Sequence, residues 1–121
     1  LTMGDGWETR RRREPGNDWI VVQLGTSGFV DEIEIDTAHF KGNFPSYCSL
    51  QATYMPTSKN SKKIVNSSVK WKYLLKGAKL SSNKIHIFKN NLMKKNKINF
   101  IKINIFPDGG ISRFRIYGKN I

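Results

Sequence analysis

The chain has 121 residues, of which 38% are hydrophobic and 12% aromatic. This content suffices for one packed core, so we expect a single domain. The sequence contains no apolar run of about 18 residues and no signal-peptide pattern, so we expect that it neither spans a membrane nor carries a visible secretion signal. The net charge is +12, and 15 of the 21 basic residues are lysines dispersed between Lys41 and Lys119. No nucleic-acid-binding motif accompanies this charge, so we expect no specific nucleic-acid partner. Cys48 is the only cysteine, which excludes an internal disulfide and favours a reducing, cytoplasmic compartment.

Four consecutive arginines, Arg10 to Arg13, lie near the start of the chain between "GWE" and the turn signal "PGN". In an extended strand alternate side chains face opposite ways, so either Arg11 and Arg13 or Arg10 and Arg12 can face one pocket. We assign Arg11 and Arg13 to the pocket side. The alternative is that the whole run is a solvated face.

Short segments with alternating apolar residues follow along the rest of the chain, separated by turn signals such as "GTSG", "KGNFP", "SSNK" and "PDGG". No segment has helical periodicity, so the sequence predicts an all-β fold, a β-sandwich of jelly-roll type. The seven predicted strands are Trp19 to Leu24, Val30 to Thr37, Leu50 to Tyr54, Val69 to Leu75, "KIHIF", "FIKINIF" and "SRFRIYG".

One segment departs from this pattern. Residues 56–68, "PTSKNSKKIVNSS", are rich in Ser, Asn and Lys and nearly devoid of large apolar groups. Such a segment buries too little apolar surface to offset the entropy of ordering, so it predicts a mobile surface loop.

The alternation also assigns faces in the later strands. Phe114 and Ile116 share a core face, and Arg113 and Arg115 lie on the other face. In "KIHIF", Ile85 and Ile87 lie on one face and His86 on the opposite one, which favours a solvated or hydrogen-bonded histidine.

Three ordered blocks carry a resemblance: "GDGWETRRRREPGNDWIVVQLG", "IDTAHFKGNFPSYCSLQA" and "NIFPDGGISRFRIYG". Together they resemble the allantoicase family of ureide hydrolases. The resemblance implies a galactose-binding-like jelly-roll sandwich over residues 1–121, the first of two tandem repeats of a longer chain. It also implies hydrolysis of allantoate to ureidoglycolate and urea. Family members often have His where this chain has Asn17.

Allantoate carries a carboxylate and two ureido arms, so its site needs planar cations for the carboxylate and groups that exchange protons with water and the leaving nitrogen. The candidates for acid–base catalysis are Glu8, Asp36, His39 and His86, and those for substrate binding are Arg11, Arg13, Lys41, Arg113 and Arg115. Each has a structural alternative: Asp36 could cap a turn, His39 could be structural at a strand end, and Arg113 and Arg115 could be exposed and weakly paired with Glu32 or Glu34.

Other functions stay open. One alternative is a non-catalytic β-sandwich module that binds an acidic small molecule or glycan, and another is an oligomeric scaffold, because jelly rolls host many functions. The sequence identifies no cofactor and no dedicated metal cluster, although a few carboxylates with His39 could hold a divalent ion weakly. As partners we expect allantoate and a second allantoicase repeat or a homo-oligomer.

Overall fold

The structure is a computed structural model that describes residues 7–8, 16–56, 60–93 and 96–120. Its β-strands are β1 (Trp7–Glu8), β2 (Asp18–Asp36), β3 (Tyr47–Thr53), β4 (Lys72–Lys79), β5 (Ile85–Phe88), β6 (Ile98–Phe106), β7 (Gly110–Ile111) and β8 (Arg113–Asn120). One α-helix, α1 (Ser61–Ser67), and a 3₁₀ turn, Ser68–Lys70, lie between β3 and β4. No helix in the described ranges is long and apolar enough to cross a membrane.

Strand β2 belongs to both layers of the sandwich. Its first half pairs with β6, in the order β4-β3-β6-β2, and its second half pairs with β8 on one side and β5 on the other. The register shifts between Gln23 and Gly28, and Gly28 is paired with residues of both β6 and β8. Such an irregularity bends a strand and lets it pass from one layer to the next.

The prediction of two separate strands, Trp19 to Leu24 and Val30 to Thr37, was therefore wrong. They are one strand of 19 residues. The "GTSG" segment between them is not a reversing turn, because its backbone stays extended between the two sets of strand partners.

The core lies between the two layers and confirms the predicted all-β sandwich. Ile33 and Ile35 of β2 pack in the same buried cluster as Ile101, Ile103 and Ile105 of β6. Phe114 of β8 is fully buried in this cluster, and Ile116 packs against it. The alternation assigned these inward-facing residues correctly, because side chains two residues apart on a strand share a face.

The alternation gave the wrong faces in two other strands. Ile85 and Ile87 are exposed and His86 is buried, because His86 is paired with the core residue Ile35. In the fourth predicted strand, Val69 lies in the 3₁₀ turn and is exposed, and β4 begins only at Lys72.

The segment predicted as a loop over 56–68 contains α1. The Asn60 side chain accepts a hydrogen bond from the backbone N–H of Lys63, 3.2 Å away, which caps the helix. Ile64 is buried against Trp71 and Phe100. One apolar anchor and one cap thus give helical structure where the composition indicated a loop; the predicted mobility of the segment stays a prediction.

Cys48 lies in the core, and burial raises the pKa of its thiol to about 12. The thiolate is the nucleophile, so at pH 8 the folded protein should not react with iodoacetamide. We expect alkylation of Cys48 only after denaturation, which mass spectrometry would measure. Fast labelling under native conditions would contradict this packing.

Candidate functional site

Three segments meet at one end of the sandwich, and they come from the three blocks that carry the resemblance. Strand β1 pairs with β7, with Glu8 opposite Gly110. The backbone N–H of Gly110 donates to the carbonyl of Asn43, 2.9 Å away. The Ser112 backbone N–H and hydroxyl both donate to the carbonyl of Asp36, at 2.8 and 2.9 Å. We call this end, with Asp36, His39, Lys41 and Arg113, the candidate site.

Two glycines allow this close approach. Gly109 has φ +130, and a Cβ there would lie 2.6 Å from the Phe44 carbonyl carbon. A Cβ on Gly110 would lie 2.2 Å from the ring of Phe40. The "HFKGNFP" segment packs directly on the backbone of the "PDGG" segment, which leaves no room for a side chain. The glycines of "PDGG" are therefore needed for this contact as well as for a turn.

Asp36 ends β2 and is buried. Its Oδ1 accepts a hydrogen bond from the Ala38 backbone N–H, 2.8 Å away, so the turn-capping role that the sequence offered as an alternative is present. Asp36 is paired across strands with Arg113. The carboxylate thus holds the turn that carries His39.

His39 is exposed at the tip of that turn and has φ 72, in the left-handed region. Its backbone N–H donates to Oδ1 of Asn83, 2.9 Å away. A non-glycine residue in this region costs about 1 to 3 kcal/mol and persists where its surroundings impose it. The Asn83 contact supplies that constraint, and Lys41 follows two residues later, also exposed.

His86 is engaged in the core. Its Nε2 accepts a hydrogen bond from the Ser81 backbone N–H at 2.8 Å, and its Nδ1 lies 2.9 Å from the Ile35 carbonyl, to which it donates in the matching tautomer. Both ring nitrogens are used by backbone groups, so this geometry leaves neither of them for a substrate.

We expect His86→Ala to lower the free energy of unfolding by about 1 to 3 kcal/mol for each buried group left without a partner. Urea denaturation would measure this. The catalytic rate per folded molecule should stay unchanged. Loss of that rate at unchanged stability would instead support the catalytic role assigned to His86 from the sequence.

The two arginines of β8 have different surroundings. Nη1 of Arg115 lies 3.5 Å from Oε2 of Glu34, an ion pair of the kind that the sequence offered as the alternative. Arg113 is exposed and has no carboxylate partner among the residues that the structure describes. Of the two, only Arg113 belongs to the candidate site, where it is paired across strands with Asp36.

Several predicted site residues fall outside this description. Arg11, Arg13 and the side chain of Glu8 lie outside the described residues. In the described ranges no group of three or more His, Cys, Asp or Glu side chains is arranged to hold a metal ion. A weakly held divalent ion stays a prediction.

The sequence analysis missed a polar cluster on the outer face of the β4-β3-β6-β2 layer. Lys102 and Asn104 of β6 are buried there, with Ser49 and Gln51 of β3. Nζ of Lys102 lies 4.6 Å from the centre of the Trp19 ring. One signal could have indicated this cluster. Lys102 and Asn104 alternate with Ile101, Ile103 and Ile105 in β6, and this strand is paired with β2 on one side and β3 on the other.

Comparisons with known proteins agree with this architecture. The family model described as "Allantoicase repeat" matches residues 1–121. A probable allantoicase of Acinetobacter baumannii (strain AYE) is 50% identical over 119 residues, which are 98% of this chain and 35% of that protein. Probable allantoicase 1 of Burkholderia mallei (strain ATCC 23344) is 48% identical over 118 residues, again 98% of this chain and 35% of that protein.

Among solved structures, the chain is similar to the crystal structure of allantoicase from Saccharomyces cerevisiae. The TM-score is 0.86 at 34% identity, over 97% of this chain and 37% of that one. The chain thus spans about a third of the length of the relatives that it matches.

Proposed function

Because the chain belongs to the allantoicase family, we propose that it forms one repeat of a ureide hydrolase that converts allantoate to ureidoglycolate and urea. The observation that carries this proposal is the meeting of the three family-like blocks at one end of the sandwich, through the β1–β7 pairing and the Gly110–Asn43 and Ser112–Asp36 hydrogen bonds. Jelly-roll architecture alone would not support it, because the fold hosts many functions.

The residues at the candidate site have the chemistry that this reaction needs. Arg113 offers a planar cation to the substrate carboxylate, and Lys41 offers a second positive charge. His39 is the group that we propose for proton transfer to the departing urea nitrogen or from water, since its ring is exposed at the site. Asp36 positions His39 through the Ala38 hydrogen bond.

The segment that precedes β2 contributes the remaining proposed residues. The backbone of Glu8 lies opposite Gly110, so its carboxylate is proposed as a second acid–base group at the same end. Arg11 and Arg13 follow within five residues of Glu8 along the chain. We propose that they bind the anionic substrate together with Arg113.

We also propose a larger assembly. Since the relatives are about three times as long as the matched region, the complete protein is proposed to contain a second repeat, and its repeats or subunits to assemble. The single cysteine, buried as a free thiol, supports the proposed cytoplasmic location.

Release of urea from allantoate by the complete natural chain tests the proposed activity. We expect turnover of allantoate and no release of urea from reactions without enzyme. Binding of allantoate without turnover would favour the alternative of a non-catalytic module for acidic small molecules or glycans. Absence of both would reject the proposal.

The two arginines of β8 offer a matched pair of variants. We expect Arg113→Ala to lower kcat/KM at least tenfold, about 1.4 kcal/mol of lost transition-state stabilisation, with little change in Tm. Arg115→Ala should have the smaller kinetic effect, because Glu34 already pairs with its guanidinium across 3.5 Å at the outer face of the sheet, where such an ion pair contributes about 0 to 1 kcal/mol to stability. Full activity of both variants would mean that β8 is only a scaffold.

A further inference from the structure

Two residues with an unusual backbone conformation contact each other at the candidate site. His39 has φ 72 and Asn83 has φ 47, and they are the only non-glycine residues with positive φ in the described part of the chain. The backbone N–H of His39 donates to Oδ1 of Asn83 at 2.9 Å. Residues in this region cluster at functional sites, where the surrounding structure imposes the conformation. The contact therefore indicates a role for Asn83 beyond the formation of its own turn.

His39 is the third residue of a turn over residues 37–40. The backbone N–H of Phe40 donates to the Thr37 carbonyl at 2.9 Å and closes this turn. A positive φ at the third position is typical of type II turns and favours glycine or asparagine. Glycine would adopt this backbone without strain. A histidine at this position is therefore better explained by the use of its ring than by the folding of the turn.

A second turn, in the string "SSNK" over residues 81–84, faces the first one. Its backbone N–H at Asn83 donates to the carbonyl of Phe40 at 3.2 Å. This bond runs in the opposite direction to the bond from His39 to the Asn83 side chain. The two turns are thus joined at their tips on both sides of the peptide unit that follows His39, so the backbone of His39 cannot shift without breaking a hydrogen bond.

Thr37 fastens the second turn to the core. It directly follows β2 and is fully buried. Its hydroxyl donates to the Ser81 carbonyl at 2.7 Å and accepts from the Lys84 backbone N–H at 3.1 Å. Its own backbone N–H donates to the Lys84 carbonyl at 2.9 Å. Because both ends of the second turn are bonded to a buried residue, Asn83 lies on a rigid support of the kind that a precisely placed functional group requires.

We propose that Asn83 is a positioning residue for the proposed reaction. By accepting the hydrogen bond from the His39 backbone N–H, it holds the imidazole of His39 where the proton is transferred. This inference rests on the proposed function, in which His39 is an acid–base group. Such a group acts only within hydrogen-bond reach of its partner, and a displacement of about 1 Å can cost about 10²-fold in rate. Asn83 acts through His39 and touches no reacting atom.

Asn83→Gly in the complete natural chain tests the proposal. Glycine adopts the backbone at φ 47 but removes the acceptor oxygen. We expect kcat for allantoate to fall at least tenfold while KM changes less than about threefold, because the proposed binding residues Arg113 and Lys41 are untouched. Ser82→Gly is the matched control. It brings the same backbone freedom to an exposed position of the same turn and keeps the acceptor, so its kcat should stay within about twofold of the wild type.

Two further variants distinguish positioning from a general loss of structure. Asn83→Asp keeps an acceptor oxygen and tolerates the left-handed backbone, so its kcat should lie within about threefold of the wild type, although its negative charge should raise KM for an anionic substrate. In the His39→Asn variant, adding Asn83→Gly should lower kcat no further. A residue that acts through His39 has no effect on the rate once the imidazole is gone, and a double-mutant cycle measures this dependence.

Hydrogen exchange supplies a readout that needs no turnover. The His39 amide is bonded to Asn83 Oδ1, and such a bond slows exchange with solvent. Mass spectrometry of peptides that cover residues 37–40 should show exchange at His39 at least about tenfold faster in Asn83→Gly than in the wild type. Asn83→Asp and Ser82→Gly should exchange at the wild-type rate. This measurement tests the contact separately from the identity of the substrate.

Three results would overturn the proposal. Unchanged kcat in Asn83→Gly, in a protein that releases urea from allantoate, would give Asn83 a merely structural role and leave the proposed function intact. Loss of kcat in Asn83→Asp while its His39 amide stays protected would mean that Asn83 acts on the substrate through its Nδ2 group. Absence of urea release from the wild type would reject the proposed function and, with it, any catalytic role for the contact that hydrogen exchange detects.

Discussion

Replacing His39 by asparagine is expected to lower kcat/KM for allantoate by about 10²- to 10⁴-fold, the usual contribution of a positioned general acid or base. His39 is the proposed acid–base group whose exposed ring lies at the candidate site, on the turn that Asp36 and Asn83 hold in place. Asparagine is chosen because it tolerates the left-handed backbone at φ 72 better than alanine does. Steady-state urea release would measure the effect.

The fold of this variant should be unchanged, because the Asn83 contact is made by the backbone N–H of residue 39 and not by its ring. Equal Tm values for wild type and His39→Asn would show this. His86→Ala is the complementary variant, since it should lose stability and keep its rate. Full activity of His39→Asn would exclude proton transfer by this side chain and leave Glu8 as the remaining proposed group.

Replacing Phe114 by alanine is expected to lower the free energy of unfolding by about 3 to 5 kcal/mol, because it removes a large side chain and leaves a cavity that the sandwich cannot close. Phe114 is 0% exposed, is paired with Ile35 and lies in the core between the two layers. Urea denaturation with intrinsic fluorescence would measure the change.

Tyr117→Ala is the matched control on the same strand. Tyr117 is 44% exposed, so its loss should change stability by about 0.5 kcal/mol or less, as for most surface positions. A cost below about 1 kcal/mol for Phe114→Ala would contradict the packing of β8 on the core.

At the candidate site, residue types could be read from the sequence but their roles could not. The blocks with Asp36, His39 and Arg113 were recognisable because the residues lie in distinctive local strings. That His39 faces solvent whereas His86 is bonded to Ile35 and Ser81 depends on contacts between segments distant in the chain. The alternation already favoured a solvated or hydrogen-bonded His86, and the hydrogen bonds to Ser81 and Ile35 confirm the second of these, but its burial could not be read from the sequence.

The sequence by itself determined that the fold consists mainly of β-strands and which residues of these strands face the core. Alternation at two-residue spacing is a local property, and it places Ile33 with Ile35, and the isoleucines of β6 with one another, on the inner faces of their strands. Only the tertiary structure decided the path of β2 through both layers, the formation of α1, and the burial of Lys102 and His86. The physical reason is that burial depends on contacts with segments that are distant along the chain. Lys102 lies against the Trp19 ring and His86 is bonded to Ile35, and no local spacing encodes contacts between residues so far apart in the chain.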